Sequence, residues 1–467
     1  MITSLSSLSS GIITVGLPQI AKDVNLEERL YLWPSSVFSL TAGSTLLLAG
    51  AVADIVDTRL MELTGCTLLG IFTLALGFSQ TGIQLVVFRA LQGIAIAIHW
   101  PCSVSLVAQY IPNGKARNIG FACLGLAMPL GFSVGLLLGG FLVDSIGWRV
   151  GFYITGAIML VQSFTGYRIV PAGPKAHNIM SRLLKELDWI GAMIACSSLA
   201  MFSYVLAILS ADSDNIREPS AITMLVFSTV LMISFPVWMR FQEGRGRPAL
   251  VPNKLWRNLP FTSICVMTIL TTGVQNANEL FSSLYFQEVQ ELSALQASLR
   301  LMPSTVIAIF LNFTTGSLIH RTPVFWLMLI STILTAGSPL LMALINPAWS
   351  YWKGAFFAQS LAPLGGDILF TVGLLIVSEG FPDKTQALAG AVYSTLSFLG
   401  VSLGTNLMQV VSLLVTKGTQ YRDKSSPGAL LQGYQASFWA MFALTMACLV
   451  ICFCGLRNVG KIGLKRE

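Results

Sequence analysis

The sequence predicts an all-α polytopic membrane protein with about fourteen transmembrane helices, and three observations predict it. Its 467 residues are 54% hydrophobic and only 10% charged, against roughly 25% charged in soluble domains. So little polar surface cannot cover a soluble protein of this length. The apolar residues gather into runs of about 20, the length a helix needs to cross the hydrocarbon core. The runs also lack the two-residue alternation of membrane strands. The composition excludes a soluble multidomain enzyme and a disordered scaffold. The net charge of +7 comes from 28 Lys and Arg scattered among short loops. No dense basic stripe appears, so no nucleic-acid partner is expected.

The segments fall at 2–21, 33–53, 60–80, 84–110, 118–143, 150–170, 189–209, 220–240, 261–286, 297–318, 324–345, 353–378, 386–416 and 435–457. The first is the least typical, with five serines between Thr3 and Gly11 and a proline at Pro18. With the N-terminus in the cytoplasm, eighteen of the 28 basic residues lie on the cytoplasmic side and nine on the other, leaving Arg89 at the membrane edge. That bias follows the positive-inside rule. Longer cytoplasmic connectors run from Val170 to Leu187 and from Phe241 to Leu259. They bracket one pair of helices between two sets of six. The expected organisation is a first six-helix bundle at 1–170, an inserted pair at 171–258 and a second six-helix bundle at 259–467. Transporters are often built from such repeats, with the substrate held between them. All eight cysteines lie in apolar runs and are expected to be small fillers. Three scattered histidines predict no metal cluster, and no cofactor is expected.

Between the second and third segments the chain reads Gly50-Ala-Val-Ala-Asp54-Ile-Val-Asp57-Thr58-Arg59. Gly50, Asp54 and Arg59 resemble the cytoplasmic loop signature of the major facilitator superfamily, although Asp57 and Thr58 replace its second glycine and first basic residue. The fourth segment carries Arg89-Ala-Leu-Gln92-Gly93, similar to that family's second motif. In the fifth, Gly131, Gly135, Gly139 and Gly140 resemble its antiporter motif, with Leu136 where the family has a proline. Trp148-Arg149 and Phe152-Tyr153 resemble the run that opens the sixth helix. Leu187-Asp188-Trp189-Ile190-Gly191-Ala192 and Arg247-Pro248-Ala249-Leu250-Val251-Pro252 resemble the fourteen-helix drug:proton antiporter branch. Trp33-Pro34, Leu40-Thr41 and Gly365-Gly366-Asp367 are most similar to its fungal aminotriazole-resistance-type subgroup. The resemblance implies two six-helix bundles plus two inserted helices, with the loop at Gly50, Asp54 and Arg59 acting as a cytoplasmic gate. It further implies an Asp nine residues before the proline of the first helix. Here that position is Ser9, and the segment holds no acid.

Proton-coupled transport needs a group that binds a proton on one side and releases it on the other. Inside a membrane a buried carboxylate serves that purpose. Asp367 is the first candidate, between Gly366 and Ile368-Leu369-Phe370, and Glu279 the second, beside Gln275, Asn276 and Asn278. For Asp367 the plainer alternative is a structural hydrogen bond to a neighbouring helix, and for Glu279 a position near the outer surface. Arg89 either tunes such a carboxylate or snorkels to the headgroups. Gln275, Asn276, Asn278 and His99 are candidates for a substrate cavity or for helix packing.

The expected function is secondary active export of small organic molecules or drugs, driven by protons through alternating access. The expected partners are a small-molecule substrate, protons and the lipid bilayer, around a monomer in the plasma or vacuolar membrane. An uncoupled facilitator or importer of a small polar solute is the nearest alternative. A transporter-like membrane sensor is the alternative from another class. No HExxH, His-rich box, GxSxG or phosphate-binding loop occurs, so enzymatic chemistry is not expected.

Overall fold

The computed structural model describes residues 1–27, 30–53, 55–111, 115–170, 179–211, 218–319, 322–381, 383–457 and 459–460. Its elements in chain order are α1 (Ile2–Asp23), α2 (Trp33–Ala53), α3 (Thr58–Gly77), α4 (Gly82–Tyr110), α5 (Lys115–Ser145) and α6 (Trp148–Ile169). A short α7 (Ile179–Glu186) then leads into α8 (Trp189–Ala211) and α9 (Pro219–Gly244). The last set is α10 (Leu259–Leu284), α11 (Ala294–Ile319), α12 (Val324–Ala343), α13 (Ala355–Leu361), α14 (Pro363–Gly380), α15 (Asp383–Gly418) and α16 (Pro427–Leu456). Nearly every described residue is helical. Among the described residues, eleven spans are long and apolar enough to cross a membrane, and the chain is a multi-pass integral membrane protein. α1, α6 and α10 fall outside those eleven because polar side chains interrupt their apolar surface.

Each predicted segment coincides with a helix, except that the one at 353–378 is divided. Pro363 lacks the N–H that would continue the hydrogen-bond ladder, which is interrupted between α13 and α14, while Ala362 keeps helical dihedrals and Ala355–Val377 form one apolar span.

Two sets of helices pack by the same plan. α1 lies along α5, and α3 packs on α4 and α6. In the other set α10 lies along α15, and α12 packs on α14 and α16. The sets meet along α2 with α15 and along α5 with α11. α8 leans on α2 and α15, with α9 behind it. Asp188 fastens this pair, because its carboxylate accepts from the Gly191 amide at 2.8 Å and from the Trp238 indole at 3.1 Å.

Glycine sets the closest approaches. A side chain at Gly131, Gly135 or Gly139 would run into the backbone of Ser4, Leu8 or Ile12. The four-residue spacing on both helices makes this one continuous α1–α5 seam. Gly140 faces Ser298 on α11 instead, so it belongs to the junction between the sets. Gly273 meets Gly400 and Gly404 in the matching α10–α15 seam.

α1 begins and α16 ends on one face, here the terminal face. The start of α12 bonds there to the segment after α16, from the Val324 amide to the Gly460 carbonyl at 3.3 Å.

Candidate functional site

A central cavity of about 230 Å³ lies between the two sets. α1 contributes Ser7, Ser10 and Thr14, α2 contributes Phe38 and Ser39, and α4 contributes Arg89 and Trp100. From the other set come Gln275, Asn276 and Glu279 on α10, Ser304 and Thr305 on α11, and Gly366, Asp367 and Phe370 on α14. The wall is therefore electrically uneven. Hydroxyls line both sides, but the one guanidinium stands on the first and both carboxylates and the amides on the second.

Asp367 accepts a hydrogen bond from Gln275, while its Oδ2 is buried with no protein partner. Glu279 is close enough to Asp367 for their charges to interact. Gly366 makes the arrangement possible, since a side chain there would occupy the place of the Gln275 amide. Asn276 accepts from Thr405 at 3.2 Å, which fixes its amide at the rim of the cavity.

Arg89 is fully buried, yet no carboxylate among the described residues pairs with it. Nε donates to the Pro34 carbonyl at 2.9 Å, Nη1 to Gln92 Oε1 at 2.9 Å and Nη2 to Ser10 Oγ at 3.3 Å. Its guanidinium lies over the Phe38 ring at 4.7 Å. Gln92 Nε2 reaches Thr73 at 2.6 Å and Ser9 at 3.5 Å. Thus Ser9, at the position where the resemblance expects an acid, meets Gln92, and its neighbour Ser10 meets the cation. This is a cavity-facing arginine held by neutral acceptors, not one that snorkels.

The structure does not gather every predicted residue here. Asn278 turns away from the cavity and donates to Ser338 on α12 at 3.1 Å. His99 also lies outside the cavity wall. Its Nδ1 faces Glu62 at 3.1 Å and Cys66 at 3.4 Å, and its Nε2 faces Thr3 at 3.1 Å. Cys66 is accordingly more than an apolar filler. Arg59 is bound within its own set, donating to the Tyr167 carbonyl of α6 at 2.7 Å. Asp57 caps α3 by accepting from the Arg59 amide at 3.1 Å. Gly50 stands between Pro101 and Ala391, next to α15. Asp54 lies outside the described residues.

The face opposite the termini carries a latch that the sequence did not reveal. Tyr31 donates to Glu288 Oε1 at 2.5 Å, and Tyr434 donates to the other carboxylate oxygen. Gln287 donates to the Val15 carbonyl at 3.0 Å, the Leu295 amide to Asp144 at 2.9 Å and Ser298 to the Leu136 carbonyl at 2.8 Å. Tyr31 lies in the connector before α2. Burial, and then the Glu288 charge, push its phenol well above the ordinary value. Nearer the terminal side Trp100 donates to Ser394 at 3.4 Å.

Known proteins share this plan. Residues 1–405 match the family described as the Major Facilitator Superfamily. A relative from Pyricularia oryzae, MFS-type transporter 1, is 39% identical over 99% of this chain and 83% of its own. The low affinity ammonium transporter of Saccharomyces cerevisiae is 23% identical, covering 88% of this chain and 78% of its own. Efflux pump terJ of Aspergillus terreus is 24% identical over 90% of this chain and 79% of its own. A solved bacterial homologue of the human lysosomal transporter Spinster superposes with a TM-score of 0.67 at 16% identity, covering 98% of this chain and 95% of that one. The fold and these likenesses agree: the chain belongs to the Major Facilitator Superfamily, whose members carry small molecules across membranes.

Proposed function

We propose that this protein exports small organic molecules in exchange for protons, and that Asp367 carries the proton. The observation that bears most weight is the Asp367 carboxylate itself. One oxygen is held by Gln275, and the other is buried and unpartnered against the cavity. A carboxylate in a membrane interior costs several kcal/mol unless its charge is compensated. A proton on Oδ2 compensates it from one side of the membrane and is released to the other. Glu279 adds a second acidic site, close enough to feel the charge on Asp367. Arg89 sets the potential from the opposite wall.

In this reading the bundles at 1–170 and 259–467 rock about the cavity, and the pair at 171–258 rides on α2 and α15. Fourteen crossings, a monomer and a place in the drug:proton antiporter branch complete the proposal, with the plasma membrane as its site. Likeness to an efflux pump supports export.

A second reading is uptake of a small cation. It draws on the two acids facing the cavity and on the likeness to an ammonium transporter.

Expression in an efflux-deficient yeast strain, challenged with a panel of toxic small molecules, separates them. Export predicts resistance to at least one compound, lost in Asp367→Asn at equal membrane abundance. Heightened sensitivity, or resistance that survives Asp367→Asn, contradicts proton-coupled export through this residue.

A further inference from the structure

We propose that Glu62, Cys66 and His99 form a binding site for a divalent transition-metal ion of the zinc class. The site lies in the first helix set, apart from the central cavity, and stands or falls independently of the transport reading.

Glu62 and Cys66 are four residues apart on α3, so both project from one face of that helix. His99 on α4 meets them because Gly65 lets the helices touch. A side chain at Gly65 would strike the His99 backbone. The three donor atoms lie within 4.8 Å of one another. His99 Nδ1 is 3.1 Å from Glu62 Oε2 and 3.4 Å from Cys66 Sγ, which is 3.7 Å from Glu62 Oε1. Bonds of about 2.0–2.3 Å to a tetrahedral zinc ion place its corners roughly 3.3–3.6 Å apart. The two His99 contacts are thus near the spacing that an ion imposes, while Cys66 meets the other oxygen of the Glu62 carboxylate.

Two further features fit a metal. Thr3 Oγ1 stands 3.1 Å from the other ring nitrogen, His99 Nε2. A ligating histidine is commonly oriented by such an outer hydrogen bond. Ser103 Oγ, 3.4 Å from both Glu62 oxygens, gives the carboxylate a similar outer contact while it donates to the His99 carbonyl at 3.1 Å. The charges also balance. On binding, the Cys66 thiol releases its proton to water and becomes a thiolate. One thiolate, one carboxylate and a neutral imidazole then cancel the two charges of the ion. A neutral cluster suits the buried interior of a helix bundle, and it ties α1, α3 and α4 together on the terminal side.

Cobalt titration of the full chain tests this, in detergent and without a histidine tag. Co²⁺ alone is the probe, because a thiolate ligand gives it a near-ultraviolet charge-transfer band and tetrahedral geometry gives intense visible bands. One ion per chain is expected, displaced by Zn²⁺. Cys66→Ser removes the charge-transfer band. His99→Gln and Glu62→Gln each weaken binding at least tenfold, and Thr3→Val by about tenfold. Absence of these bands from the unmodified protein at millimolar Co²⁺ overturns the proposal, whatever the variants do. So does a band that persists in Cys66→Ser, which assigns the ion to another cysteine.

Discussion

Arg89 shows how single residues are matched to a dry interior. Its three donors reach a backbone carbonyl, an amide oxygen and a hydroxyl. Lysine keeps the charge but offers a point donor in place of the planar fork. Each hydrogen bond made by a charged group contributes about 1.5–3 kcal/mol. Arg89→Lys is therefore expected to lower the thermal unfolding midpoint in detergent and to weaken any resistance the protein confers. Ser10→Ala, which loses one long contact, is expected to change the midpoint little. Equal effects from the two would contradict this account of Arg89. The sequence marked Arg89, Asp367 and Glu279 because charged groups stand out in apolar runs. It separated the amides less well. At 100° per residue, Asn276 and Asn278 flank Gln275 and Glu279 on opposite sides, so helical phase does not tell which amide joins their face. That Asn278 meets Ser338 follows from where α12 packs against α10, which the sequence does not show. The cluster at Glu62, Cys66 and His99 had no comparable signal, since α3 and α4 must first be folded together.

At the scale of elements, close helix approach and the latch govern the molecule. The glycine spacing on α5 was legible as a stripe, and its partner α1 was supplied by the fold. Gly135→Leu is expected to force α1 and α5 apart and to cut the yield of folded protein severalfold on size-exclusion chromatography. At Gly418, where a side chain meets nothing, Gly418→Ala is expected to leave the yield unchanged. The latch escaped the sequence because Tyr31 and Glu288 lie 257 positions apart. Its pH behaviour follows from the raised Tyr31 phenol. A raised folded value means that the protonated donor, and the stability it brings, is fully present below the usual pKa of about 10. That stability is lost only as the pH climbs through the higher folded value. Tyr31→Phe removes one bond to a carboxylate and is expected to favour opening of that face about tenfold. The shift is expected to be equal at pH 6 and pH 8, read by labelling of a cysteine placed at Ser35 on the cavity wall. A Tyr31→Phe effect that vanishes at pH 8 would remove the phenol from the latch.

For the whole molecule, two like-built helix sets enclose a central cavity that carries two carboxylates and a guanidinium, and hydrogen bonds between the sets close the face opposite the termini. The helical architecture was legible because the bilayer dictates segment length. The state of the cavity was not, because it depends on contacts between distant segments. The central claim is that this face opens and closes and that the charge on Asp367 biases the equilibrium. Spin labels at Ile146 and Ser350, both exposed, report it directly when the exposed Cys123 and Cys454 are replaced by serine. Pulsed-resonance distances should resolve a short and a long population. Acidification and Asp367→Asn, which both neutralise the carboxylate, should shift them in the same direction. A single distance that neither acid nor Asp367→Asn changes would contradict the account.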